Sequence, residues 1–352
     1  MTVTSTILRH LEPNTTTTKE EEISMRSKGR QLFPAVALLL VLSVALAAVL
    51  SGCGSSTSKE SKKYRIVMVT GDNHDPFFIT MLAGAKMEAK KLGVDFSWQG
   101  PANYQAQEQI PVLDAVFASK PDFLIAVPTD VNALVAPLKK FTQAGIPVLN
   151  VDGDVRDKSV RLGLIASNNY LGGQIAVRQL AKLLPAGSKV AYVGEQRGVY
   201  ATDERERGFK AELKKTKLVF VGSQYGLDDP NTAASLTSAL FTRYPDLKGV
   251  FASDTAYGQG AATAVKNAGK SGQVKIIAFD AEPGEVQALK RGLISMLIVQ
   301  KCYDEGIKAV QLATAYLKDG TKPPKLWTPG YVLATKDNID SPSVTKFLYR
   351  AS

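Results

Sequence analysis

Residues 84–96, GAKMEAKKLGVDF, have a counterpart 124 positions further along the chain, GFKAELKKTKLVF at residues 208–220. Both stretches open on Gly, carry Lys, Glu and a Lys-Lys pair at the same spacing, and pass from a helical pattern into a short apolar run ending in Phe. The same offset pairs Pro121-Asp122 with Pro245-Asp246, Asp130 with Asp254, and Ala144-Gly145 with Ala268-Gly269. After a four-residue insertion, Val151-Asp152-Gly153 pairs with Phe279-Asp280-Ala281. A register held over that distance implies two similar lobes built from one repeated unit.

Around the repeat, short apolar runs alternate with amphipathic stretches, the pattern of an α/β protein with parallel sheets. Strands are expected at 64–69, 94–98, 123–127, 147–151 and 160–166, and again at 189–193, 218–224, 249–252, 274–279 and 294–299. Helices fill the intervals, for example 79–92 and 132–144. Asp152 and Asp280 each end an apolar strand at matching places, and ligands of open parallel sheets gather at strand carboxyl ends. The loop after the first strand, TGDNHDPFF at 70–78, carries two acids, a histidine and two adjacent aromatics. Read alone, it suits a catalytic site, a metal site or a ligand clamp. Opposed lobes would bring these strand ends together across a cleft, the usual place for a small ligand.

Composition removes most chemistries. The 352 residues are 45% hydrophobic and 22% charged, an ordinary folded chain, with a formal charge of +10. The lysines fall singly or in pairs at helix-like positions, so a nucleic-acid partner is not expected. There are two cysteines and two histidines. Beyond Cys53 only Cys302 remains, and beyond His10 only His74. That leaves no disulfide within the domain, too few ligands for a Cys/His zinc site, and no Gly-x-Ser-x-Gly elbow for a serine triad. A paired-carboxylate hydrolase stays open.

The N-terminal region reads as an export signal. Met25 to Arg30 is basic, residues 32–50 are mostly apolar, and Leu50-Ser51-Gly52-Cys53 follows. Cys53 resembles the lipidated cysteine of bacterial lipoproteins; an uncleaved anchor is the alternative. Residues 1–24 read as an upstream extension, 25–52 as the signal peptide and 53–63 as a flexible spacer.

From Tyr64 onward the chain resembles the type I periplasmic sugar-binding proteins, the ribose- and galactose-binding group that feeds ABC importers. The likeness is carried in order by DPFFITMLAGAKMEAKKLG, KPDFLIAVPTD, AGIPVLNVDGD, IASNNYLGGQIA, DERERGFKAEL, PDLKGVFASD, IIAFDAEPGEVQALKRG and Gln300. It implies two Rossmann-like lobes, 64–166 plus 302–328 and 167–301 plus 329–352. Three hinge crossings are implied near 166–168, 300–302 and 327–331. Asp75 sits where the family has an Asn or Asp accepting sugar hydroxyls, and Phe77 and Phe78 match its sugar-covering aromatics. Asp152, Asp280 and Gln300 match two strand-end acids and a hinge amide. Asp254 lies where ribose binders have Asn, and Asp203 near a position where they have Arg; both could instead cap helices. Two departures weigh against ribose itself: Gly153 stands in place of an arginine and Val127 in place of an asparagine. Arg205 reads as a structural ion pair, His74 as a residue of the mouth, and Trp98 as core or cleft. Gly172-Gly173 and Gly258 suit close helix packing.

The resemblance implies a sugar or polyol receptor, not an enzyme, with no cofactor, no metal and no catalytic residue. It would act as a monomer, lipid-anchored on the outer face of the bacterial cell membrane, and pass its ligand to permease subunits of an ABC transporter. A signalling receptor for a sugar-like molecule is the alternative; a carboxylate-dependent hydrolase is a weaker one. A repressor of this fold would need DNA-reading helices and no export signal.

Overall fold

The computed structural model describes residues 63–350; the extension, the signal segment, Cys53 and all but the last residue of the spacer lie outside the described residues. The first lobe holds β1 (Arg65–Val69), β2 (Asp95–Gln99), β3 (Phe123–Ala126), β4 (Val148–Val151) and β5 (Leu164–Ile165). They form one parallel sheet in the order β2-β1-β3-β4-β5. β3 and β4 are buried along their whole length. Such strands read as continuous apolar runs because helices cover both faces of the sheet. The covering helices are α1 (Pro76–Leu92), α2 (Ala106–Ala118) and α3 (Val135–Gln143).

The second lobe repeats the plan after α4 (Asn169–Leu183). It contains β6 (Lys189–Glu195), α5 (Tyr200–Leu213), β7 (Val219–Gly226), α6 (Pro230–Arg243), β8 (Leu247–Ala252) and α7 (Thr255–Asn267). Then come β9 (Lys275–Phe279), α8 (Pro283–Lys290), β10 (Met296–Val299), α9 (Cys302–Asp319), β11 (Val332–Ala334) and α10 (Pro342–Thr345). The sheet runs β11-β10-β9-β8-β6-β7, parallel except that β11 pairs antiparallel with β10. That edge strand is absent from the sequence expectation, being three residues long with no alternation to mark it. The expected strand at 160–166 also shrinks: residues 158–160 form a short 3-10 turn, and only Leu164 and Ile165 pair with β4.

The chain changes sheets three times: between β5 and α4, between β10 and α9, and between Trp327, which bridges to Ile165, and β11. The helix after each of the first two crossings packs on the first helix of the lobe it enters, and glycines permit the approach. A Cβ on Gly173 of α4 would lie 1.9 Å from the Arg205 carbonyl oxygen, and one on Gly208 of α5 would lie 1.9 Å from that of Tyr170. In the first lobe, a Cβ on Gly306 of α9 would lie 2.0 Å from the Met81 carbonyl oxygen, and one on Gly84 of α1 would lie 2.2 Å from that of Tyr303. Gly84 and Gly208 are the residues on which the repeat begins. The sequence match is thus a match of helix crossings, each needing a residue with no side chain where backbones touch.

Candidate ligand-binding site

The carboxyl ends of β1, β4, β6, β8, β9 and β10 meet one cavity between the lobes, enclosing about 430 Å³ with its mouth included.

The first lobe contributes the loop after β1. Asp72, 2% exposed, accepts the N–H groups of His74 (2.9 Å) and Asp75 (2.8 Å), which turns the chain toward α1. Asp75 is the N-cap of α1: its Oδ1 accepts the Phe77 N–H at 2.7 Å, and Pro76 begins the helix. The helix therefore starts three residues before the expected 79, so Phe77 and Phe78 belong to its first turn and not to a loop tip. Both rings are buried, meet edge to face at 5.2 Å and line the cavity. Tyr104 stacks on Phe78 at 6.2 Å and is admitted by Gly71, where a Cβ would lie 2.2 Å from the Tyr104 ring. Behind them Gln109, 1% exposed, donates to the carbonyls of Thr70 (2.9 Å) and Val127 (2.6 Å) and accepts from Thr129. One amide thereby ties the ends of β1 and β3 together.

Asp152 and Asp280 occupy equivalent positions in an unusual conformation. Their φ angles are +58° and +82°, in the left-handed region that costs non-glycine residues energy. Each donates its N–H to the strand beside it, Asp152 to Ile165 (2.7 Å) and Asp280 to Ile298 (3.0 Å), and turns its carboxylate into the cavity. Asp280 Oδ1 accepts Gln300 Nε2 (2.7 Å) and the Tyr349 hydroxyl (2.6 Å). Asp152 Oδ1 and Gln300 Oε1 are buried without a partner. An orphaned buried acceptor is costly, and a ligand that donates to it recovers the loss.

One cation lies inside. Arg205, 3% exposed, donates to Asn169 Oδ1 (2.9 Å) and the Ser253 carbonyl (2.6 Å). Its guanidinium sits 3.7 Å from the Phe279 ring centroid and 3.9 Å from Asp280 Oδ2. Arg205 makes the expected ion pair, with Asp280, and lines the cavity as well. Burial pushes the Asp152 carboxyl up to about 6, with Arg205 pulling against it. Burial likewise raises Asp254 to about 6, against its bonds from Ser253 and Tyr257. Asp75, Glu195 and Asp228 are raised well above the usual range by burial and by neighbouring acids.

Of the expected site residues, Asp75, Phe77, Phe78, Asp152, Asp254, Asp280 and Gln300 line the cavity. Asp203 does not; it sits in the first turn of α5, its carboxylate accepting the Gly198 N–H at 3.0 Å. Asp254 does both things at once, lining the cavity and capping α7 through the Tyr257 N–H (3.2 Å). His74 is exposed at the mouth. Trp98 packs on the core beneath Lys86, away from the cavity. Gly153 has a structural reason, since a Cβ there would lie 2.3 Å from the Pro128 carbonyl oxygen. Sequence reasoning missed Tyr104, Glu195, Thr202 and Asp228. Glu195 ends β6 and Asp228 follows β7, so the strand-end rule used for Asp152 and Asp280 would have found both.

The sequence matches the periplasmic binding protein domain family over residues 66–322. It is 33% identical over 279 residues to the ribose import binding protein of Salmonella typhimurium, covering 79% of this chain and 91% of that one. Among solved structures it is similar to a solute-binding protein of an ABC transporter from Agrobacterium vitis bound to α-D-tagatopyranose. That likeness has 39% identity and a TM-score of 0.79, covering 82% of this chain and all of the other. A carbohydrate transporter solute-binding protein from Agrobacterium radiobacter, in complex with D-arabinose, is 27% identical with a TM-score of 0.78, over 82% of this chain and 99% of that one. These relatives are transport binding proteins and not enzymes. With its two mostly parallel lobes and inter-lobe cavity, the chain belongs to the periplasmic binding protein family of type I fold, beside the sugar-binding receptors of ABC importers.

Proposed function

We propose that the protein captures a monosaccharide or polyol between its lobes and delivers it to the permease of an ABC importer. It would do so as a monomer held to the outer face of the cell membrane through a lipid on Cys53. The observation that carries the reading is the convergence of Asp152, Asp280 and Gln300, from equivalent strand ends and the hinge, on a cavity covered by Phe77 and Phe78. Carboxylates accept several hydroxyls each, and charge-assisted bonds are roughly twice as strong as neutral ones. The aromatic rings supply an apolar surface for the C–H face of a sugar. Since three chain crossings join the lobes, closure is a hinge motion that sequesters the ligand and changes the outer surface a permease would read. No bond in the ligand is broken.

Titration calorimetry against pentoses, hexoses, ketohexoses and alditols tests this. Binding by one or a few members, lost in Asp152→Asn and Asp280→Asn, is expected; silence across this set and across the corresponding amino sugars would sink the reading. The anchor is tested separately by labelling cells with a radiolabelled fatty acid, where incorporation should disappear in Cys53→Ser.

A further inference from the structure

The cavity is far more acidic than hydroxyl capture requires. Six carboxylates line it, those of Asp75, Asp152, Glu195, Asp228, Asp254 and Asp280, against the single guanidinium of Arg205. The approaches continue the theme: Asp72, Asp229 and Glu282 line the outer chambers, where His74 is the only basic side chain. All this sits on a chain whose formal charge is +10, so the acidity is local to the cleft. A cleft lined by one sign of charge focuses the field and concentrates ions of the opposite sign.

Nor is Arg205 placed to neutralise the whole cavity. Its Nε and one terminal nitrogen are committed to Asn169 and Ser253, and its nearest carboxylate is Asp280. Burial raises the Glu195 carboxyl, Asp254, Asp228 and Asp152 push it further up, and Arg205 pulls against them. The neighbours that raise Asp228 are Asp254, Asp72, Glu282 and Asp280, all acids. Independently of this crowding, the unpartnered buried atoms aimed into the cavity, Asp152 Oδ1 and Gln300 Oε1, are both acceptors. A ligand that satisfies these atoms brings donors, and positive charge on it would meet the surplus. Among the described residues no group of three or more His, Cys, Asp and Glu side chains could hold a metal ion, which directs the argument to an organic cation. An ammonium supplies three donors and one charge on a small head.

We propose that the ligand is a cationic polyol, a sugar or sugar alcohol bearing a protonated amino group, with its ammonium held among Glu195, Asp228 and Asp254. This rests on the sugar-receptor reading above. The hydroxyls then fall to Asp152, Asp280 and Gln300, and the C–H face to Phe77 and Phe78. A neutral sugar of the same shape would leave Glu195 and Asp228 to take up protons or to face each other charged.

The test is a matched titration of the full chain at pH 7 and pH 5. The probes are galactosamine, glucosamine, mannosamine and terminally aminated alditols, each beside its neutral counterpart. One aminated member should bind about tenfold or more tighter than its neutral partner at pH 7. The preference should shrink at pH 5 as the carboxyls take up protons, and collapse in Glu195→Gln and Asp228→Asn, each checked for folding by circular dichroism. A neutral sugar that binds as tightly as its amine, or a preference that both variants retain, overturns the inference and leaves the sugar-receptor reading standing. Silence from both sets overturns the two together.

Discussion

Asp152→Asn should stabilise the ligand-free protein at neutral pH while destroying its ligand affinity. The Asp152 side chain is 6% exposed and one of its oxygens has no partner. Burial moves its carboxyl from 3.8 to about 6 even with Arg205 nearby. In the unfolded chain the group titrates near the lower value, so between the two values the folded state holds a proton that the unfolded state has released. A raised carboxyl of this kind supports the fold below the unfolded value and loses that support as pH rises through about 6. At pH 7.5 the two-unit gap corresponds to about 3 kcal/mol against the ionised native state. Asparagine has the shape of the neutral acid and tolerates the left-handed backbone of this position. The variant should therefore gain up to about 3 kcal/mol at pH 7.5, roughly half of that at pH 5, and nothing below the unfolded value. Urea unfolding of both ligand-free proteins between pH 4 and pH 8 reads this as a shift in midpoint at constant slope. A variant less stable than its parent at pH 7.5, or a gain that does not move with pH, would refute the reasoning. It would mean that Arg205 holds Asp152 ionised at a net profit to the fold.

Gly153→Arg introduces the side chain that the resemblance implies for ribose receptors, yet its Cβ would collide with the Pro128 carbonyl. It should lower stability by about 1–3 kcal/mol and bring no ribose binding, read by melting and titration. Tyr349→Phe removes the hydroxyl given to Asp280 while keeping the ring against Phe77. It should cost about 1.5–3 kcal/mol, the range for a hydrogen bond to a charged group, and weaken ligand binding; an unchanged melting temperature would exclude that role. Gly173→Ala and Gly306→Ala put a methyl onto a backbone oxygen at equivalent crossings in the two lobes. Each should destabilise by about 1–3 kcal/mol in urea unfolding, and a neutral outcome at either would show that its helix pair can slide apart.

The repeat made the fold legible because it records a geometric necessity. Gly84 and Gly208 keep their places since each lets a crossing helix touch backbone. Strand ends were legible for the same kind of reason: β1, β3 and β4 are buried apolar runs that must stop where the chain turns into the cleft. Less was legible where position depends on three dimensions. Asp203 and Arg205 are two residues apart on α5, and helical geometry sends one to cap a loop and the other into the cavity. Tyr349, near the end of the described chain, reaches Asp280 across 69 residues, a pairing that no local pattern carries. The antiparallel β11 escaped because three residues hold too little periodicity to register.

The two lobes contribute unequally to the cavity, and the inequality bears on ligand choice. Their shared part is the pair Asp152 and Asp280, both left-handed, both donating to the adjoining strand, both facing the hinge. Strain repeated at two equivalent sites is hard to attribute to either lobe's own stability, since any residue with an ordinary backbone would relieve it; it is what a functional constraint looks like. The unshared part is Glu195, Asp228 and Asp254 from the second lobe, with Asp75, Phe77, Phe78 and Tyr104 from the first. On the proposed reading, rings from one lobe and most of the acids from the other would orient a ligand, with its C–H face toward the first and its donors toward the second. Closing the hinge on a ligand turned the other way would press hydroxyls onto rings and leave three carboxylates unpaired. On the proposed reading, orientation and charge would be selected by the same closure, before any permease is met.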